Sequence, residues 1–210
     1  EHVAEGRPIP SPPDSALPGM LPRMGGNPVE NVGTAIFRDD RLAGLITVDE
    51  TQMLLALRGE MGKAYITVND PLDPEWKLSL RLHQENLPKF EASFAGSALR
   101  VRERLLFEAE LLSIPSGVHY ADVPNRKRLE EALARYCEER IGQLLRKLKE
   151  WETDPVGYGL LFRPRFPSYN KWVAYGWHSR LDRLDVNVDV QVRVRRYGLV
   201  PGAPHTTEER

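Results

Sequence analysis

Cysteine is nearly absent. Cys137 stands alone in 210 residues, which excludes an internal disulfide and any multi-cysteine metal site. Long apolar runs are missing too: arginine or glutamate interrupts each one well short of the roughly 20 residues a membrane-spanning helix needs. Charge of one sign is lacking, since 29 Lys and Arg face 30 Asp and Glu for a net charge of -1. Such a chain has no global attraction for nucleic acid or an anionic surface, and a charged partner must be met by a local patch. The five histidines, His2, His83, His119, His178 and His205, never fall at i,i+4, and neither HExxH nor GxSxG occurs. "GYG" at 157–159 follows a predicted helix and lacks the third glycine and the lysine of a phosphate loop. No cofactor, metal or nucleic-acid partner is expected.

Proline, by contrast, is plentiful at one end. Seven of the 17 prolines lie in residues 1–30, without helical or strand periodicity, and this stretch is expected to be a linker or strap from a missing N-terminal domain. The chain starts at Glu1 without an initiator methionine or signal pattern, so it reads as a mature or excised fragment. One main domain is expected over 31–200, with a loose tail at 201–210.

Within that domain, "GTAIFRDDRLAGLI" at 33–46 reads as a hairpin turning at Arg38-Asp39-Asp40-Arg41. A helix follows, capped by Thr47 or Asp49, with Leu54, Leu55 and Leu57 on its apolar face and Gly59 at its end. Strands are expected at 63–68, 76–82, 90–94 and 99–112. In the last of these, odd positions are apolar and even ones charged until Glu103 and Leu106 break the alternation, which suggests a bulge or bend there. Leu129, Leu133, Cys137, Ile141, Leu144 and Leu148 define one face of a long helix over 125–153, and Cys137 on that face reads as core. Val186, Val188, Val190, Val192 and Val194 alternate strictly with polar residues, the clearest strand in the chain. The sum is an α+β fold: a largely antiparallel, or mixed, sheet packed against one long helix and several short ones.

Between that helix and the last strand lies "DPVGYGLLFRPRFPSYNKWVAYGW". Asp154 is read as an N-cap with Pro155 at the first helical position, Ser168 as the cap of the next short helix, and Gly176 as its end. Trp172 and Tyr175 share one face of that second helix. With Trp177, Arg193 and Arg195 they form a candidate partner interface, since Trp, Tyr and Arg are favoured anchors; packing on the sheet is the competing role. The same mixture of arginines and aromatics suits single-stranded nucleic acid, but the near-zero net charge favours rim arginines beside an aromatic core. Glu108 and Glu110 point the same way from one strand and are the only candidate acid/base pair, for a small hydrolase; charged residues on a wet strand face are far commoner than catalytic ones.

The order of these pieces resembles the C-terminal domain of the spore germination receptor C-subunit family, the Ger(x)C type of lipoprotein. The resemblance rests on "GTAIFRDDRLAGLITVDET", the helix ending in "DPVGYG", and "YNKWVAYGW" followed by "VDVQVRVRRYGL". Gly33, Ala35, Phe37, Leu42, Gly44, Glu50 and Thr51 match the first block; Asp154, Gly157, Tyr158 and Gly159 the second; Trp172, Trp177, Arg196 and Gly198 the last. The resemblance implies a non-catalytic subunit of a nutrient germinant receptor. It would be lipid-anchored, through an upstream cysteine, to the outer face of the inner spore membrane and assembled with integral membrane A- and B-type subunits. The alternative is a module that binds the nutrient itself, which requires a concave, mostly apolar pocket with a few polar groups.

Overall fold

A computed structural model describes residues 33–197. The expected strap at 1–30, the tail at 201–210 and Gly198 lie outside the described residues.

Strands β1 (Thr34–Arg38) and β2 (Arg41–Ile46) form an antiparallel hairpin. Helix α1 (Val48–Arg58) starts at once, because Thr47 and Glu50 form a reciprocal capping box, and it stops at Gly59, which takes the left-handed φ of 72° that glycine adopts without penalty. Then come β3 (Lys63–Asn69), β4 (Lys77–Gln84), β5 (Lys89–Ala95) and β6 (Ala98–Ser113), all joined antiparallel. Helix α2 (Val123–Glu150) carries the chain back over the sheet. Two short helices follow, α3 (Gly159–Phe162) and α4 (Tyr169–Tyr175), and β7 (Leu184–Tyr197) closes the domain. Strand β7 runs parallel to β6, so the five-stranded sheet is mixed. The fold class is α+β.

The 16 residues of β6 span about 50 Å at strand rise, and this length organises the domain. Strand β7 follows one of its edges from Leu99 to Leu111, while β5 and β4 lie end to end along the other, on 98–104 and 107–113. The C-terminal half supplies Leu105, Phe107, Ala109 and Leu111 to a large core under α2, where Leu129, Leu133, Cys137, Ile141, Leu144 and Leu148 are buried. The N-terminal half supplies Leu99 and Val101 to a second, smaller core with Tyr158, Phe162, Trp177 and Leu181. Burial pushes the Cys137 thiol up to about 12, so it stays protonated and inert.

The bulge expected at Glu103 is not found. Pairing with β5 and β7 runs through Glu103 in register, and the irregularity on β7 comes later, between Ala109 and Glu110. Glu103 keeps the inward parity of its neighbours and is fully buried. The mixed charges of α2 are also more than a solvated face: Glu138 accepts a hydrogen bond from the Val190 N–H at 3.1 Å and Glu130 from the Val194 N–H at 2.8 Å. The helix thereby closes part of the open edge of β7, where unpaired amides would otherwise invite another strand.

Gly44 is required by packing. A Cβ there would lie 2.4 Å from Cζ2 of Trp151, whose ring rests on β2 at the end of α2. Gly44→Val is expected to lower stability by about 2–3 kcal/mol, through displacement of that ring, in urea unfolding followed by tryptophan fluorescence.

Candidate functional site

After α2 the chain reverses, and Asp154 is the centre of the reversal. Its Oδ1 accepts from the backbone N–H of Gly157 at 2.9 Å and of Tyr158 at 3.0 Å. Its Oδ2 accepts from the N–H of Gly159 at 2.8 Å and from the indole Nε1–H of Trp177 at 2.9 Å. One carboxylate thus fastens the start of α3 to Trp177, 23 positions beyond Asp154 itself. Burial pushes its carboxyl up from the ordinary aspartate range, and the four donors pull against that shift. The helix expected directly after Asp154 is displaced to Gly159: Pro155 and Val156 form a turn, and Gly157, at φ 89°, redirects the chain so that three successive amides converge on the side chain. Gly159 is needed for a separate reason, since a Cβ there would meet the Trp177 ring at 2.8 Å.

Tyr158 ties this turn to the sheet. Its hydroxyl donates to Glu103 Oε2 at 2.7 Å, in the buried space between the two cores, while Glu103 Oε1 has no partner. Burial raises the Glu103 carboxyl to about 7, with the tyrosine hydroxyl acting in the opposite direction. The pattern that could have announced this pair is the parity of β6, in which position 103 belongs with the inward-facing residues.

Beyond the turn, aromatic rings support one another in a chain. Phe162 packs on Trp177 at 5.5 Å, Trp177 on Trp172 at 5.7 Å, and Trp172 stacks with Tyr175 at 6.2 Å, with Phe166 against both. Ser168 caps α4 and Gly176, at φ 65°, ends it. Trp172 and Tyr175 are half-buried, and Trp177 is buried with its N–H committed to Asp154. The exposed side chains of this module are others: Leu160 and Tyr169, each 65% exposed, and Val173, 57% exposed. Tyr169 and Val173 stand four apart on α4, and Leu160 and Tyr169 line one groove with Phe166 and Trp172. Arg163, stacked 5.6 Å from the Tyr169 ring centre, lines the same groove and gives this face a positive rim, whereas Arg165 turns to β5, over the Phe94 ring and donating to the Ala92 carbonyl oxygen.

The arginines of the candidate interface are elsewhere. Arg193 lies nine residues along β7 from Leu184, about 30 Å from the module. Arg195 pairs with Glu108 and approaches Glu85 at 3.7 Å. Glu110 pairs with Arg81. The two glutamates therefore each answer a separate arginine. Among the described residues no group of three or more His, Cys, Asp or Glu is placed to hold a metal ion, and no helix is long and apolar enough to cross a membrane.

Residues 32–198 match the family model described as "Spore germination B3/ GerAC like, C-terminal". The chain belongs to this spore germination family. Among solved structures, that of the GerBC protein superposes with a TM-score of 0.63 at 19% identity, covering 78% of this chain and 51% of that one, a likeness of fold. The chain spans about half the length of the GerBC protein. Comparison with curated proteins finds no match.

In this GerAC-like domain the residues that carried the resemblance have physical duties. Gly44 admits Trp151, Asp154 gathers four donors, Gly157 supplies the left-handed turn, Gly159 admits Trp177, and Thr51 donates to the Thr47 carbonyl oxygen at 2.8 Å. Gly33 leads into β1 with φ 142°, and Phe37 projects from the hairpin, 58% exposed.

Proposed function

We propose that this chain is the C-terminal part of a germinant-receptor C subunit, and that it works without catalysis, as an assembly domain for the integral membrane A- and B-type subunits. Tethering by an upstream lipid anchor at the outer face of the inner spore membrane fits that role. Membership of the spore germination family supports the setting. The observation that carries the assembly role is the exposed face of Leu160, Tyr169 and Val173 with its basic rim, borne on a module that Asp154 and the ring chain hold rigid. Large apolar side chains kept at the surface of a preorganised element are what a partner interface needs, because little entropy is lost on docking.

The test is a pull-down from detergent-solubilised spore inner membranes, comparing the wild-type chain with a Leu160→Ser, Val173→Ser double variant whose melting temperature is checked first. The wild type should recover the receptor's membrane subunits, and the variant roughly tenfold less, as for loss of a modest hot spot. Equal recovery by a folded variant would remove this face from the assembly role.

A further inference from the structure

The two cores do not merge completely. A cavity of about 290 Å³ opens between the C-terminal half of α2, the turn at 153–158 and the beginning of β7, walled by Leu145, Leu148, Val156, Leu181, Leu184 and Val186. The polar groups on its floor are already satisfied within the protein: Asp154 by its four donors, Thr153 by donating to the Leu148 carbonyl oxygen, and Tyr158 by donating to Glu103. Water placed there finds few partners, so the interior favours apolar matter.

At the rim stand two cations. Lys149 Nζ donates only to the Leu184 carbonyl oxygen, at 3.2 Å, and the exposed Arg146 guanidinium has no ion-pair or hydrogen-bond partner among the described residues. The acid at the rim, Asp185, stands opposite Arg100 in the register of β6 and β7. Gly142 adds an independent sign. It lines the same cavity from inside a 28-residue helix, where glycine is the least favourable residue after proline. Gly44 and Gly159 each make room for a tryptophan ring, but a Cβ at Gly142 would meet only Arg146 Nη1, at an ordinary 3.7 Å. Nothing in the described chain requires that glycine, whereas an occupant of the cavity would.

We propose that this cavity binds a small monocarboxylate with an apolar tail, the tail between the leucine and valine walls and the carboxylate at Arg146 and Lys149. Its volume is at the lower end for ligand pockets, roughly 300–1,000 Å³, which restricts the occupant to a small molecule. The site shares no residue with the exposed face on α3 and α4, so it stands or falls apart from the assembly role.

Sodium octanoate is the probe and 1-octanol its uncharged control, each titrated into the ¹⁵N-labelled chain and followed by amide chemical shifts. Octanoate should give saturable shifts at 142–149, 153–158 and 181–186. Gly142→Leu puts a side chain over the cavity while improving the helix, so it should keep its melting temperature and bind at least roughly tenfold more weakly. Arg146→Gln should weaken octanoate by about tenfold and leave octanol unchanged. Absence of saturable octanoate binding, or undiminished binding by Gly142→Leu, would overturn the site. Equal affinity for octanol and octanoate in the wild type would overturn the carboxylate assignment.

Discussion

Asp154→Ala should release the short-helix module from the sheet. Three backbone amides and the Trp177 indole N–H lose their acceptor together. Hydrogen bonds to a charged acceptor contribute about 1.5–3 kcal/mol each, and part of that returns when freed donors reach water, so the expected loss is about 3–5 kcal/mol. The informative variant is Asp154→Asn. A carboxylate offers two acceptor oxygens, and each here takes two donors; the amide keeps one oxygen and turns an N–H₂ toward the remaining pair. Asparagine should therefore be nearly as damaging as alanine despite its matching shape. Hydrogen exchange would show the loss concentrated at 157–184, with red-shifted emission from Trp172 and Trp177, while the large core under α2 stays protected. If Asp154→Asn unfolds at the wild-type urea concentration, the convergent hydrogen bonds do not hold the module.

Glu103→Gln should stabilise the domain most at pH 8, and by about 2–3 kcal/mol less at pH 5, where the folded carboxyl is still protonated. The folded carboxyl titrates at about 7, raised by burial, against roughly 4.3 in an unfolded chain. The folded state thus holds a proton that the unfolded state has already released. This group's contribution to stability is complete below about pH 4.3, falls as pH rises through 7, and is constant above. The interval corresponds to about 4 kcal/mol, an order-of-magnitude figure for a side chain that no solvent reaches. Glutamine mimics the protonated acid in shape and neutrality, and an unpartnered oxygen such as Oε1 costs less on a neutral group than on a carboxylate. Urea unfolding at pH 5, 6, 7 and 8, taken as the difference between wild type and variant, cancels the other titrating groups. Parallel pH profiles would mean that Glu103 does not carry this linkage.

Both residues show where sequence reasoning stops. Asp154 was legible as an acceptor for the amides just after it, because they lie within a few residues, although the helix it was read to cap begins only at Gly159. That the same carboxylate also receives Trp177 was not, since the indole arrives only when α3 and α4 fold back over β6. Glu103 has the parity of the core residues around it, yet a charged side chain among them reads as a disruption until Tyr158 is known to face it. Tryptophan is similar: Trp172 and Trp177 belong to one motif, but the turn at Gly176 half-buries the first and buries the second. Arg193 and Arg195, close in sequence to those rings, end far away because a strand of 14 residues rises steeply from the module.

By itself the sequence determined the α+β class, the long helix, the strictly alternating last strand, the caps at Ser168 and Gly59, a cap at either Thr47 or Asp49, and the family. Each of these rests on periodicity, capping or motif order, which are interactions over a few residues or patterns along the chain. Only the tertiary structure decided that β7 runs parallel to β6, that Glu103 and Tyr158 meet between two cores, that Asp154 holds Trp177, and that Gly142 borders a cavity. Those outcomes depend on pairs separated by tens of residues, whose meeting is settled by how two cores share one long strand, and no local preference encodes that.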